Sequence, residues 1–179
     1  MSADTFDVIV IGAGAAGLTT AIFARRFAPE RTVLVLDSAK KPGAKILVSG
    51  GSRCNVTNTE VSERDFWGGR RTIVRRVLRS FTAAETVAFF RDLGVTLHEE
   101  ADGKLFPDSN RSRDVLSALL RGLDATGAEL RADHRVLAVE PSPCDFRVVT
   151  TRGELRARSV VEVAAGGAEV FVAALGRPG

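Results

Sequence analysis

The run from Phe6 to Asp37 limits what this chain can fold into more than any other stretch. It opens on Asp7-Val8-Ile9-Val10-Ile11, which reads as a short buried strand. Gly12-Ala13-Gly14-Ala15-Ala16-Gly17 follows directly. A helical run, Leu18 to Phe27, comes next, and then a second apolar strand, Thr32 to Leu36, ending on Asp37. Each residue type in this order suits a dinucleotide. Gly12 permits the tight turn out of the strand. Gly14 has no Cβ, so a pyrophosphate can come up against the backbone, and Gly17 lets the helix lie close to the sheet. The N–H groups of the helix start, Ala15 and Ala16 included, face the phosphates with the positive end of the helix dipole. Asp37 stands where a carboxylate can accept hydrogen bonds from ribose hydroxyls. An acid there, rather than an arginine, argues against a 2′-phosphate and leaves FAD or NAD as the first nucleotide.

Bulk properties exclude several classes. A chain of 179 residues fits one domain or a domain with a small appendage. Apolar content of 45% with 26% charged residues is that of a soluble globular protein. A net charge of +3 suits anionic cofactors without calling for nucleic acid. Cys54 and Cys144 stand far apart with no C-x-x-C, so neither a disulfide framework nor a zinc site is supported. Met1 to Asp7 carries no lysine or arginine and does not read as a signal peptide, and the glycines inside Phe6 to Ala24 sit at loop spacing. The expectation is a cytoplasmic protein that neither spans a membrane nor binds nucleic acid.

After Asp37 comes a polar loop broken at Pro42-Gly43, and then a glycine-led turn rich in donors, Ser49 to Asn58. Flexible backbone of this kind beside a phosphate motif suits close contact with a ligand. The whole run Gly43-Ala44-Lys45-Ile46-Leu47-Val48-Ser49-Gly50-Gly51-Ser52-Arg53-Cys54-Asn55-Val56-Thr57-Asn58 resembles the hallmark of a family of bacterial NAD(P)/FAD-dependent oxidoreductases. These two-dinucleotide-binding flavoproteins include bile-acid-intermediate reductases and aminoacetone-oxidase-like members. The usual form carries a third glycine where this chain has Ser52. The resemblance continues through Phe89 to Val95, Gly103 to Pro107 and Asp114 to Leu116, and covers the chain to about Val163.

That resemblance implies an α/β, Rossmann-like FAD-binding domain over residues 1–167, followed by a divergent tail, 168–179, in place of a substrate domain. It implies FAD as the cofactor, NAD(P)H as electron donor and a small organic substrate. Lys45, Gly50, Gly51, Arg53, Cys54 and Asn55 would lie along the flavin, Val136 would offer its backbone to the adenine, and Ala165 and Gly166 would stand near the pyrophosphate. Members of the family run on past this point, so the chain reads as shortened, with a second chain as one source of the remainder. By itself it is expected to bind FAD weakly and to turn over little NAD(P)H.

The residues between these motifs set further expectations. Ile73, Val74, Val77, Leu78 and Phe81 recur at helical spacing, opposite Arg70, Arg71, Arg75, Arg76 and Arg79 on a solvated face. Thr82 and Glu85 form a capping box for a helix ending at Gly94. Val95–Glu99 and Lys104–Phe106 read as a hairpin, with His98 an exposed strand residue. Ser112 caps a helix ending at Gly127. The central sheet is expected to be mainly parallel, built from Asp7–Ile11, Thr32–Leu36, the Val136 strand and Val160–Ala164, with Phe146–Ala157 an antiparallel hairpin on one side.

No nucleophile, base and orienter form a set, so hydrolysis and acyl transfer have no support. Three readings stay open: an FAD-dependent oxidoreductase, an NAD-dependent dehydrogenase, and a non-enzymatic remnant or half of a split enzyme.

Overall fold

A computed structural model describes residues 4–67 and 69–163, and the backbone of 170–174. The chain forms two compact units, Met1–Ala44 with Leu119–Gly179, and Lys45–Ala118.

The first unit is built on β1 (Asp4–Ile11), which lies between two parallel neighbours, β2 (Val33–Leu36) and β9 (Gly153–Val163). A third parallel pairing joins β2 to β6 (Glu129–Arg131). Side chains of β1 alternate. Ile9 joins Leu34 and Leu36 in one cluster, while Val10 stands under Gly17 in α1 (Ala15–Phe27). With both faces covered, β2 is four buried apolar residues in a row, as a strand inside a parallel sheet should be. The helix buries Gly17, Leu18, Ala21 and Ile22. Arg25 at its far end donates to the Thr126 carbonyl at 2.8 Å.

Two strand assignments need correction. The Val136 strand, β7 (Val136–Pro141), is not in the parallel part: its hydrogen-bonded neighbour is β8 (Phe146–Thr150), antiparallel, and β6 takes the parallel place instead. The hairpin arm expected at Glu154–Ala157 and the strand expected at Val160–Ala164 are one strand, β9. Its first half pairs with β8 antiparallel, and its second half with β10 (Val170–Ala174) antiparallel, while β1 runs along the other edge. The meander β7–β8–β9 remains the expected antiparallel layer. Phe146, Val148, Leu155 and Ala157 share one apolar cluster with Ile9, Leu34 and Leu36. The result is an α/β fold with a mixed sheet around a parallel centre. Ala164, Ala165 and Gly166 lie outside the described residues.

The second unit carries α2 (Ala44–Val48, from the unit boundary), β3 (Thr57–Asn58), α3 (Arg71–Ser80), α4 (Ala83–Asp92), β4 (Leu97–Glu99) and β5 (Lys104–Pro107). Both expected features are present: the Thr82–Glu85 capping box and the β4–β5 hairpin. Helix α5 (Ser112–Ala125) runs across the division between the units. Ser112 is not a cap but the first helical residue, buried, with its hydroxyl donating to the Leu47 carbonyl at 2.9 Å. Helix α3 forms as expected, yet only Val74 and Leu78 of its apolar side are even half-buried.

Candidate dinucleotide site

In the first unit the predicted residues meet at the carboxyl ends of β1 and β2, where open α/β sheets bind ligands. Gly12 leaves β1 with φ +107°, and its N–H donates to the Leu36 carbonyl at 2.8 Å. A Cβ there would stand 2.7 Å from the Val163 carbonyl oxygen. At Gly17 a Cβ would run into the Gly12 carbonyl oxygen. Both glycines are thus required by the protein's own packing. Gly14 differs, because a Cβ there would meet nothing within 4 Å. It is the N-cap of α1 in extended backbone, no side chain caps the helix, and no acid lies in the first turn. Ala15 and Ala16 are exposed beside it. The N-terminal N–H groups of α1 and its dipole are therefore available to an anion.

Asp37 stands at the end of β2, half-buried. Its Oδ2 accepts the Ala13 N–H at 2.7 Å and its Oδ1 accepts the Ala39 N–H at 2.8 Å. The carboxylate thus braces the glycine turn from inside, and each oxygen keeps lone-pair capacity for a further donor. The Asp37 carbonyl accepts the His134 N–H at 2.8 Å, which brings the start of β7, with Val136 two residues on, to the same end of the sheet. Midway along β1, Asp7 accepts the Thr32 N–H at 2.9 Å and a bond from Arg31 at 3.0 Å. The Thr32 backbone bond, then Arg31, hold its carboxyl below the usual range.

The second unit groups Gly50, Gly51, Arg53, Cys54 and Asn55 in one tight turn, Ser49–Ser52 and its exit, with Lys45 exposed on α2. Gly50, Gly51, Ser52 and Cys54 all have φ between +55° and +69°. A Cβ on Gly50 would press on Asn55 N at 2.7 Å, whereas Gly51 faces open space. Ser52, the position where the resembling family carries glycine, is itself left-handed, a conformation that costs an L-residue about 1–2 kcal/mol. Cys54 is buried, with its N–H on the Ser49 carbonyl at 3.0 Å.

Sequence reasoning missed what fixes this turn. Arg53 donates to Glu100 at 2.5 Å and lies 4.3 Å over the Phe106 ring. His98, expected to be merely exposed, is half-buried, with one ring nitrogen 3.4 Å from Glu100 and the other 3.4 Å from Asp108. The Arg53 bond, then His98, keep the Glu100 carboxyl below its ordinary range. One signal was present: the predicted hairpin puts His98 opposite Phe106. Among the described residues no cluster could hold a metal ion, and no helix is long and apolar enough to cross a membrane.

A sequence profile of the HI0933-like protein Rossmann domain matches residues 6–176. The ribosomal RNA dihydrouridine synthase of Escherichia coli is 33% identical over 80% of this chain and 35% of its own length. The 3-dehydro-bile acid delta(4,6)-reductase of Clostridium scindens is 32% identical over 88% of this chain and 38% of its own. The chain thus spans just over a third of the curated relatives it matches. Solved structures share the fold at low identity. Quinol fumarate reductase of Escherichia coli gives a TM-score of 0.68 at 17% identity, over 93% of this chain and 33% of that one. A 3-ketosteroid-delta4-(5alpha)-dehydrogenase from Rhodococcus jostii gives 0.64 at 16%, over 89% and 45%. With the glycine turn, its bracing acid and the matched profile in agreement, the chain belongs to the HI0933-like Rossmann-domain family.

Proposed function

We propose that this chain holds the ADP half of FAD in an oxidoreductase that moves electrons between NAD(P)H and a small organic substrate. The observation that carries this reading is the open face at Gly14 beside the uncapped start of α1. Gly12, Gly14, Ala15, Ala16 and Gly17 would hold the pyrophosphate, Asp37 the ribose, and the start of β7 at Val136 the adenine. Lys45 and the turn Gly50, Gly51, Arg53, Cys54, Asn55 would serve the flavin side. When bound, FAD supplies the two-electron relay between donor and substrate, and the protein's part is to bind, orient and exclude water.

The names of two relatives support a reaction class. A dihydrouridine is a uridine with two added hydrogens, and a delta(4,6)-reductase adds hydrogen across carbon–carbon double bonds. The corresponding proposal here is addition of two hydrogens to such a bond, at the expense of NAD(P)H. Coverage of about a third of the relatives favours a second reading beside it, in which turnover needs further polypeptide. The test is the visible absorbance of the purified protein and its Gly14→Val variant, followed by NADH oxidation. A flavin spectrum in wild type, lost in Gly14→Val, is expected; equal FAD affinity in both would sink the assignment.

A further inference from the structure

The positive charge of this chain is gathered in one place. Arg70, Arg71, Arg75, Arg76 and Arg79 stand within ten residues, and no acid lies between Phe66 and Ala84. Those five arginines exceed the chain's whole net charge of +3, so the remainder is net negative. Spread evenly, such a charge calls for no polyanion; concentrated on one helix, it makes a local positive field. Arg75 is paired with Glu63. Arg70, Arg71, Arg76 and Arg79 are exposed and make no ion pair among the described residues.

The helix that carries them, α3, is also apolar along one side. Val74 and Leu78 are half-buried, and Arg75 ties the helix to the Glu63–Asp65 turn packed against it, so the fold fixes its placement. Ile73 and Val77, one turn apart, are nonetheless 58% and 63% exposed. At about 100° per residue, Arg76 falls between Ile73 and Arg79 around the helix. The outward surface of α3 thus sets guanidinium groups beside bare aliphatic side chains. Water suits the first and not the second, and a protein core the reverse. A nucleic acid would engage the arginines and leave Ile73 and Val77 bare. One partner matches both. The boundary of an anionic lipid layer takes aliphatic side chains inward while its phosphates meet the guanidinium forks.

We infer that α3 is a peripheral contact for an anionic lipid surface, lying along it with Ile73 and Val77 seated and Arg76 and Arg79 on lipid phosphates. Its ten residues are too few to cross a bilayer and suit a place on top of one. Attraction to such a surface is worth about fivefold in affinity per arginine. The contact is therefore weak, reversible and weaker still in high salt. It involves neither glycine turn, so it stands whether or not the chain holds FAD.

The test sediments the purified chain with vesicles of phosphatidylcholine alone, and of phosphatidylcholine with about a third phosphatidylglycerol, at low and high salt. Binding to the anionic vesicles alone is expected, and its loss in high salt. Arg76→Gln/Arg79→Gln and Ile73→Ser/Val77→Ser should each weaken it at least about tenfold. All four side chains are exposed, so neither pair should disturb the fold, which circular dichroism checks. No binding, or equal binding to neutral vesicles, overturns the inference. So does binding that the serine pair leaves unchanged; an arginine-dependent gel shift of single-stranded RNA would then assign the helix to a nucleic acid. Self-association of the wild-type chain that the serine pair removes overturns it as well, and gives the face to a second copy. If either variant unfolds, amide exchange across residues 71–80 of the wild-type chain is compared with and without anionic vesicles. Slowing of at least about tenfold is expected, and no slowing overturns the inference.

Discussion

The two glycine-led turns are built on different terms. In the Gly12–Gly17 turn, two of three glycines serve the protein: Gly12 clears the Val163 carbonyl and Gly17 clears the Gly12 carbonyl. Gly14 alone faces outward. The turn is unstrained at its rim, with Gly14 in extended backbone. The Ser49–Asn55 turn instead runs through left-handed backbone at Gly50, Gly51, Ser52 and Cys54, of which two are not glycine. Its shape is imposed from outside, by the Arg53–Glu100 pair, the Phe106 ring and the Val56 N–H on the Leu105 carbonyl at 2.9 Å. A turn that fits its own residues is preorganised for an anion. A turn that fits only because neighbours hold it can change when they do.

The comparison can be broken at Gly17 first. Gly17→Ala forces α1 off the sheet and should cost about 3 kcal/mol or more in urea unfolding, with flavin lost as a consequence. Gly14→Val should separate the two effects. Stability should fall by no more than about 1 kcal/mol, the difference between glycine and valine at an N-cap, while FAD affinity falls by about a hundredfold. If both variants lose stability alike, Gly14 belongs to the packing and not to the ligand. Asp37→Ala removes the acceptors of the Ala13 and Ala39 amides and should cost about 1.5–3 kcal/mol, read in FAD titration and in faster exchange of those two amides.

The second turn gives the opposite sign. Ser52→Gly should stabilise it by about 0.5–1 kcal/mol, since relief of left-handed strain exceeds the added freedom of the unfolded chain. Smallest is a pH effect. The Glu100 carboxyl lies below its ordinary value of 4.5 in the folded chain, through its bond from Arg53. Its contribution is therefore complete above about pH 4.5 and is lost as pH falls through the lower folded value. Amide exchange around Arg53–Asn55 should quicken over that acid range in wild type and not in Glu100→Gln, with the Gly12–Gly17 turn unmoved.

How far the sequence could be read follows from the distance over which each feature is decided. The Gly12 turn, the Thr82 capping box and the β4–β5 hairpin are settled by residues close in sequence, and all three were legible. Val136–Val139 is an apolar run that suits a parallel or an antiparallel place equally, and only its partner β8 decides. Glu129–Arg131 suggests a strand returning to the main sheet, and it is one, but with a single apolar residue its neighbour β2 could not show. Arg158 and Ser159 lie between the two expected strands, yet Ser159 pairs with Val8 and Arg158 reaches toward Asp7 at 3.6 Å, which carries β9 straight through. The Arg53–Glu100 pair links residues too far apart for any local pattern. That Gly50 and Gly51 suit close contact with a ligand is visible in the residues themselves; that they and Lys45 would lie along a flavin is implied only by the resemblance.

The position of β9 sets an order of events for a chain made from its amino end. Val8 pairs with Val33 on one side and with Ser159 on the other, so the second closure spans a loop about six times longer and costs about 1.6 kcal/mol more in chain entropy. The β1–α1–β2 unit can assemble while the Lys45–Ala118 unit is still being made. The wall that Val163 raises behind Gly12 has to wait until both have emerged. A nascent chain arrested before β9 should therefore carry every glycine of the fingerprint and still lack a finished turn, which ties the capture of cofactor to one of the latest steps of folding.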